Sequence, residues 1–167
     1  MTRTRPMFHH APSIPQHLHA WLWAKGSLTQ QLTQLAQGDF QVQIQQQQMQ
    51  RLTREDSLWL DVPLHHTAWV REVELWGKQQ AWVRAKSSFP IVSLYKKARQ
   101  FKSLAQRPIG HLLFYRTQPK CQRRVIYLPE GWTRQSCYTW HGCRFIVQET
   151  FLPAFEHYLL QQPTPSK

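Results

Sequence analysis

Arg71 and Glu149 stand where an alternating strand pattern reserves places for apolar side chains. In Trp69-Val70-Arg71-Glu72-Val73-Glu74-Leu75-Trp76, the face of Trp69, Val73 and Leu75 also carries Arg71. In Phe145-Ile146-Val147-Gln148-Glu149-Thr150-Phe151, the face of Phe145, Val147 and Phe151 also carries Glu149. Successive side chains of a strand point to opposite sides, so both charges are expected to look into the interior. A lone buried charge is costly unless something compensates it. Two arrangements satisfy that requirement: a scaffold ion pair between Arg71 and Glu149, or an internal pocket whose ligand matches both charges. Parity alone gives the two equal weight.

A third charge depends on the same choice. The stretch Trp82-Val83-Arg84-Ala85-Lys86-Ser87-Ser88-Phe89-Pro90 carries Trp82, Arg84 and Lys86 on one face, with Val83 and Ala85 on the other. Either face is credible as the inner one. If the Trp82 face is inner, Lys86 joins Arg71 in a cationic pocket; otherwise Lys86 is a surface residue.

Other chemistries find little support. The histidines lie in neither an HExxH nor a CxxC…HxxxH arrangement, so no metal site is expected. P-loop, GxGxxG and GxSxG motifs are absent, which removes nucleotide binding and triad hydrolysis. Cys121, Cys137 and Cys143 form no even disulfide framework and fit a reducing cytoplasm. No segment approaches membrane-span length. The net charge of +12 calls for an anionic partner without choosing among nucleic acid, membrane surface and small anions. Lys96-Lys97-Ala98-Arg99-Gln100-Phe101-Lys102 makes a basic helix face, yet no helix-turn-helix, zinc finger or RNP-type strand accompanies it. A solvated face is the simpler reading, and no nucleic-acid partner is expected.

The elements that must position these charges follow from periodicity. The 167 residues suit one domain spanning 1–167, with about 1–13 and 161–167 as flexible ends. Two short helices are expected between Pro15 and Gln37; Ser27 caps the second, and Leu28, Leu32 and Leu35 form its stripe. Phe40, Val42 and Ile44 alternate with glutamines as a strand, and the Gln45–Gln48 run is its polar end. Thr67–Trp76 and Gln80–Phe89 make a hairpin, and Ile91–Ala105 has helical phase. Gln122–Leu128, Arg134–Trp140 and Cys143–Phe151 are further strands. Adjacent strands with tight turns favour an antiparallel α+β fold over βαβ winding.

Several local matches then occur together. They are Trp21-Leu22-Trp23 with Ser27-Leu28-Thr29, Trp69-Val70-Arg71-Glu72-Val73, and Trp82-Val83 running on to Pro90. Pro108-Ile109-Gly110-His111-Leu112-Leu113-Phe114, Trp132-Thr133-Arg134-Gln135-Ser136 and Glu149-Thr150-Phe151-Leu152-Pro153 complete them. In order and spacing the chain resembles the chorismate lyase family over nearly its whole length. That resemblance implies a single-domain α+β fold with an antiparallel six-stranded sheet and helices covering a buried ligand pocket. It implies conversion of chorismate to 4-hydroxybenzoate and pyruvate for quinone biosynthesis, by a monomer without metal or organic cofactor. Carried over by motif position, Arg71 binds the ring carboxylate and Glu149 faces the ring 4-hydroxyl, these two being the catalytic pair. Leu28, on a flap, and Ile109 line the pocket. The family commonly has Arg where this chain has Lys86, which leaves open whether Lys86 or Arg84 reaches the second carboxylate. The same fold also serves as a non-catalytic effector-binding domain in transcription regulators, which is the alternative reading; a basic nucleic-acid-binding module stands third.

Overall fold

The computed structural model describes residues 12–95, 119–140 and 142–162. At its centre is one antiparallel sheet of six strands. These are β1 (Phe40–Arg51), β2 (Thr67–Gly77), β3 (Gln80–Pro90), β4 (Lys120–Leu128), β5 (Gly131–Trp140) and β6 (Cys143–Phe151). Their spatial order is β1-β2-β3-β6-β5-β4, so the halves of the sheet meet at the β3–β6 pair. The described helices are α1 (Gln16–Trp23), α2 (Leu28–Ala36), α3 (Arg54–Leu60), α4 (Ile91–Leu94) and α5 (Pro153–Gln161). The architecture is the α+β arrangement expected from the chain. None of these helices is long and apolar enough to cross a membrane.

Local chemistry accounts for the element ends. The Ser27 hydroxyl accepts a hydrogen bond from the Gln30 backbone N–H at 3.3 Å and starts α2, while Gln37 (φ 54°) and Gly38 (φ 90°) end it in left-handed conformation. Lys78 and Gln79 both have positive φ (50° and 62°), the requirement of a two-residue turn whose twist matches the hairpin. β1 continues well past the glutamine run, staying paired with β2 as far as Arg51 opposite Thr67. Helices α3 and α5 lie outside the sequence expectation. The signals for them are Thr53, whose hydroxyl accepts from the Asp56 N–H at 3.0 Å, and Pro153 at the first position of α5. Of the helix expected over Ile91–Ala105, the structure describes Ile91–Leu94 as helical; the part from residue 96, and the Pro108–Phe114 segment, lie outside the described residues.

One face of the sheet holds two apolar clusters. At one end α1, α2 and α5 bury Leu18, Leu22, Leu32 and Phe155 against Val73, Leu75, Val83 and Phe151. At the other, α4 places Leu94 with Trp69, Phe89, Tyr138 and Phe145. Each fully buried large apolar side chain contributes about 1.5–3 kcal/mol. On the opposite face α3 covers a smaller cluster around Val70, Cys137 and Ile146.

A bulge decides which side of β3 faces the larger cluster. Leu75 pairs with Val83 and Trp76 with Ala81, so Trp82 is an extra residue in β3. Its ring joins Val83 in the core and meets Phe155 at 5.5 Å and Tyr158 at 4.7 Å between centroids. A side chain at Gly77 would run into that ring. Beyond the bulge the alternation resumes with Ala85 and Ser87 inward, and Arg84 and Lys86 turned to the opposite face.

Candidate functional site

A band of polar side chains crosses the covered face between its two apolar clusters. Strand register aligns Arg71 with Ser87, Val147, Ser136 and Arg123, in that order from β2 to β4. The next row runs Val73, Ala85, Glu149, Arg134 and Val125. Small side chains at Ser87, Val147 and Ser136 form the floor, with a guanidinium at each end. Arg71 is 2% exposed and Glu149 8%, so both charges that alternation directed inward are buried.

They do not make the scaffold pair considered from the sequence. The partner of Glu149 is Arg134, its direct neighbour on β5: Arg134 Nε donates to Glu149 Oε2 at 2.5 Å and Nη2 to Oε1 at 3.2 Å. Arg71 is aligned one row away, opposite Ser87, and register therefore gives Arg134 the shorter reach. Arg134 is 1% exposed and its Nη1 also donates to the backbone carbonyls of Trp21 (2.9 Å) and Ala24 (3.4 Å) at the end of α1. One guanidinium thus ties the carboxylate on the sheet to the connection that leads into α2. Arg134 was not among the expected site residues; alternation could have marked it, on the face of Trp132 and Ser136, and its role became visible with the β5–β6 register.

Arg123 extends the band toward the edge strand. Its Nε donates to Ser136 Oγ (2.9 Å), Nη1 to the Ala24 carbonyl (2.5 Å) and Nη2 to the Tyr138 hydroxyl (3.4 Å). A cavity of about 360 Å³ opens beside it, lined by Trp23, Lys25, Cys121, Arg123 and Tyr138 among others.

The remaining expected site residues divide. Leu28, first residue of α2, is buried in the same cluster as Val73 and Ala85, close to the Glu149 row. Ile109 lies outside the described residues. Lys86 and Arg84 are not brought to Arg71. They sit on the opposite face in ion pairs, Lys86 Nζ with Glu72 Oε1 at 3.7 Å and Arg84 Nη2 with Glu74 Oε1 at 3.1 Å. The Trp82 bulge is the reason: it brings Trp82 into the core without carrying Arg84 and Lys86 along.

Burial sets the electrostatics. It pulls the Arg71 guanidinium below its ordinary pKa. At Arg134 burial also lowers the pKa, but the charge and hydrogen bonds of Glu149 outweigh it and the net shift is upward. The Tyr138 phenol, buried and near the Glu149 charge, is pushed up to about 12 and serves as a neutral hydroxyl. No described group of three or more His, Cys, Asp or Glu side chains is placed to hold a metal ion.

Comparison with known proteins bears on this arrangement. A family model described as chorismate lyase matches residues 7–158. A protein of Acinetobacter baumannii named "Probable chorismate pyruvate-lyase" is 57% identical over 163 residues, covering 97% of this chain and 96% of its own. One of the same name from Acinetobacter baylyi is 62% identical over 147 residues, covering 87% and 88%. Among solved structures, a Staphylococcus aureus gene product superposes with a TM-score of 0.53 at 10% identity, covering 87% of this chain and 97% of that one. The ligand-binding domain of a GntR-family transcriptional regulator from Bordetella bronchiseptica gives 0.51 at 12% identity, covering 68% and 86%. These two share the fold, at identities too low to carry activity. With the family model matched over residues 7–158 and close relatives aligned almost end to end, the chain belongs to the chorismate lyase family.

Proposed function

We propose that this protein converts chorismate to 4-hydroxybenzoate and pyruvate on the covered face of its sheet, supplying the ring of a quinone. The observation that carries the reading is a buried guanidinium, Arg71, in register across the sheet with small side chains and one row from a buried carboxylate, Glu149. Arg71 holds the ring carboxylate through charge-assisted hydrogen bonds, and Glu149 accepts from the ring 4-hydroxyl. Guanidinium contacts on both Glu149 oxygens leave lone pairs for that second donor, since a carboxylate offers about four acceptor sites. Leu28 and Ile109 supply apolar contact to the ring.

The reaction asks little covalent chemistry of the protein. The C3–O bond of the enolpyruvyl ether breaks and its electron pair leaves on the enolpyruvate oxygen. C4 gives up its proton and that bonding pair completes the aromatic ring. Enolpyruvate takes a proton at its methylene carbon and becomes pyruvate, so atoms and electrons balance without an oxidant. The protein contributes orientation, exclusion of water and neutralisation of the developing enolate charge. The same reading makes it a cytoplasmic monomer. Free thiols at buried Cys137 and Cys143 support the compartment.

The test is to incubate the purified protein with chorismate and follow 4-hydroxybenzoate by absorbance and pyruvate by a coupled assay. Equimolar products are expected from the wild type. Arg71→Ala should lower kcat/KM by about 100-fold or more, the equivalent of about 3 kcal/mol for a lost charge-assisted contact, with an unchanged circular dichroism spectrum. Absence of turnover in the wild type, or unfolding of Arg71→Ala, contradicts the reading.

A further inference from the structure

The enolpyruvyl carboxylate of chorismate needs a cation, and Lys86 and Arg84 stand on the wrong face to supply it. We infer that the cavity beside Arg123 and Lys25 receives this carboxylate and then holds the pyruvate that leaves. The inference rests on the assignment of the ring carboxylate to Arg71 and the 4-hydroxyl to Glu149.

Direction across the sheet carries the argument. Arg71 is on β2 and Glu149 on β6, two strand spacings or about 10 Å apart along the sheet. The ring carboxylate and the 4-hydroxyl lie at opposite ends of the chorismate ring, so the ring bridges that interval over Ser87 and Val147. The enolpyruvyl ether is attached to the carbon next to the one bearing the hydroxyl. It therefore sits at the Glu149 end of the ring and continues toward β5 and β4. The first guanidinium met there, Arg134, is committed to Glu149 and to the Trp21 and Ala24 carbonyls. The next is Arg123, on the same face and bordering the cavity.

Arg123 is built for the task. Contacts to Ser136, Ala24 and Tyr138 fix its plane, and they use three of the five guanidinium N–H groups, the one to Tyr138 being long at 3.4 Å. The remaining donors suit a carboxylate, which a guanidinium binds bidentately. Lys25 adds a second cation, and Tyr138 adds a neutral hydroxyl whose upward-shifted pKa keeps it a donor. Trp23 adds an apolar surface to the lining. A volume of about 360 Å³ has room for a three-carbon acid beside the ring. Negative charge grows on the enolpyruvate as its bond to the ring breaks, so cations aimed there stabilise the transition state more than the bound substrate.

The proposal separates substrate from product. Chorismate carries the enolpyruvyl group and 4-hydroxybenzoate lacks it. Arg123→Met should lower kcat/KM for chorismate by about 10- to 100-fold while changing the dissociation constant of 4-hydroxybenzoate by less than about threefold. Arg123→Lys should recover part of the loss. Lys25→Met, at a side chain with no described hydrogen bond to lose, should lower kcat/KM by about 3- to 10-fold and weaken competitive inhibition by pyruvate. Equal losses for chorismate and 4-hydroxybenzoate in Arg123→Met would mark a purely structural residue and overturn the inference. So would unchanged chorismate kinetics and pyruvate inhibition in Lys25→Met, which decides the matter even if Arg123→Met fails to fold. Failure of the lyase reading itself shows separately, as absence of turnover in the wild type.

Discussion

The two faces of the sheet carry similar ion pairs and use them in opposite ways. On the covered face Arg134 and Glu149 are 1% and 8% exposed, joined by two hydrogen bonds, with further Arg134 bonds to the chain between α1 and α2. On the open face Lys86–Glu72 and Arg84–Glu74 are single contacts with the cationic side chains more than a third exposed. Water and salt screen the second set, so those pairs contribute about 0–1 kcal/mol each. The first set has no water to fall back on, so removing one partner strands the other. Charge count says nothing about this difference; burial decides it. The lesson for the site is that a carboxylate held by a buried guanidinium keeps a fixed orientation toward a ligand, which a solvated pair cannot provide.

Breaking the comparison starts with the buried pair. Arg134→Met should destabilise the protein by about 3–5 kcal/mol in urea unfolding, because Glu149 is left buried without its partner. The double variant Arg134→Met with Glu149→Leu should recover most of that stability while remaining inactive. A loss below about 1 kcal/mol in the single variant would put the covered pair on the same footing as the open-face pairs.

Tyr138 offers a pH test of the same face. Its folded pKa, about 12, lies above the ordinary value near 10, so the protonated phenol favours the folded state. That contribution is fully present below pH 10 and is lost as pH climbs toward 12, amounting to as much as roughly 3 kcal/mol. Ultraviolet titration should find one tyrosine ionising near pH 12, a step absent in Tyr138→Phe. Simultaneous ionisation of all tyrosines with the fold intact would show that water reaches this part of the covered face.

The smallest effect belongs to the open face. Lys86→Met should alter stability by less than about 1 kcal/mol and kcat/KM for chorismate by less than about threefold. A 10-fold loss of kcat/KM would place Lys86 at the substrate and reverse the assignment of faces.

How much of this was legible in the sequence follows from what alternation can and cannot encode. A period of two places Arg71 and Glu149 inward with no knowledge of neighbours, and the buried positions of both agree. The same period applied to β3 put Trp82, Arg84 and Lys86 on a single face. One inserted residue at Trp82 shifts the phase, and nothing local marks it, since the bulge is defined by the pairing of Leu75 with Val83 and Trp76 with Ala81. Which cation meets Glu149 is likewise a property of register between β5 and β6, strands joined by a turn at Gly142 but not aligned by any single residue. Arg123 escaped notice for a different reason: it reads as one of a basic pair, Arg123-Arg124, until the strand separates them. Arg124 then reaches Glu55 at 2.7 Å on the α3 side, while Arg123 turns to the covered face. Helix α3, of seven residues, was missed because it is too short to establish a period, and the Thr53 cap is its signal; α5 has no side-chain cap, and Pro153 at its first position is the mark that was passed over.

The central claim is that the ligand lies on the covered face, between Arg71 and Glu149. A crystal structure of the protein soaked with 4-hydroxybenzoate tests it most directly. The ring should sit over Ser87 and Val147, its carboxylate on the Arg71 guanidinium and its hydroxyl on Glu149, with Arg134 still bound to that carboxylate. A ring bound instead against Lys86 and Arg84, with Arg71 and Glu149 untouched, would contradict the account.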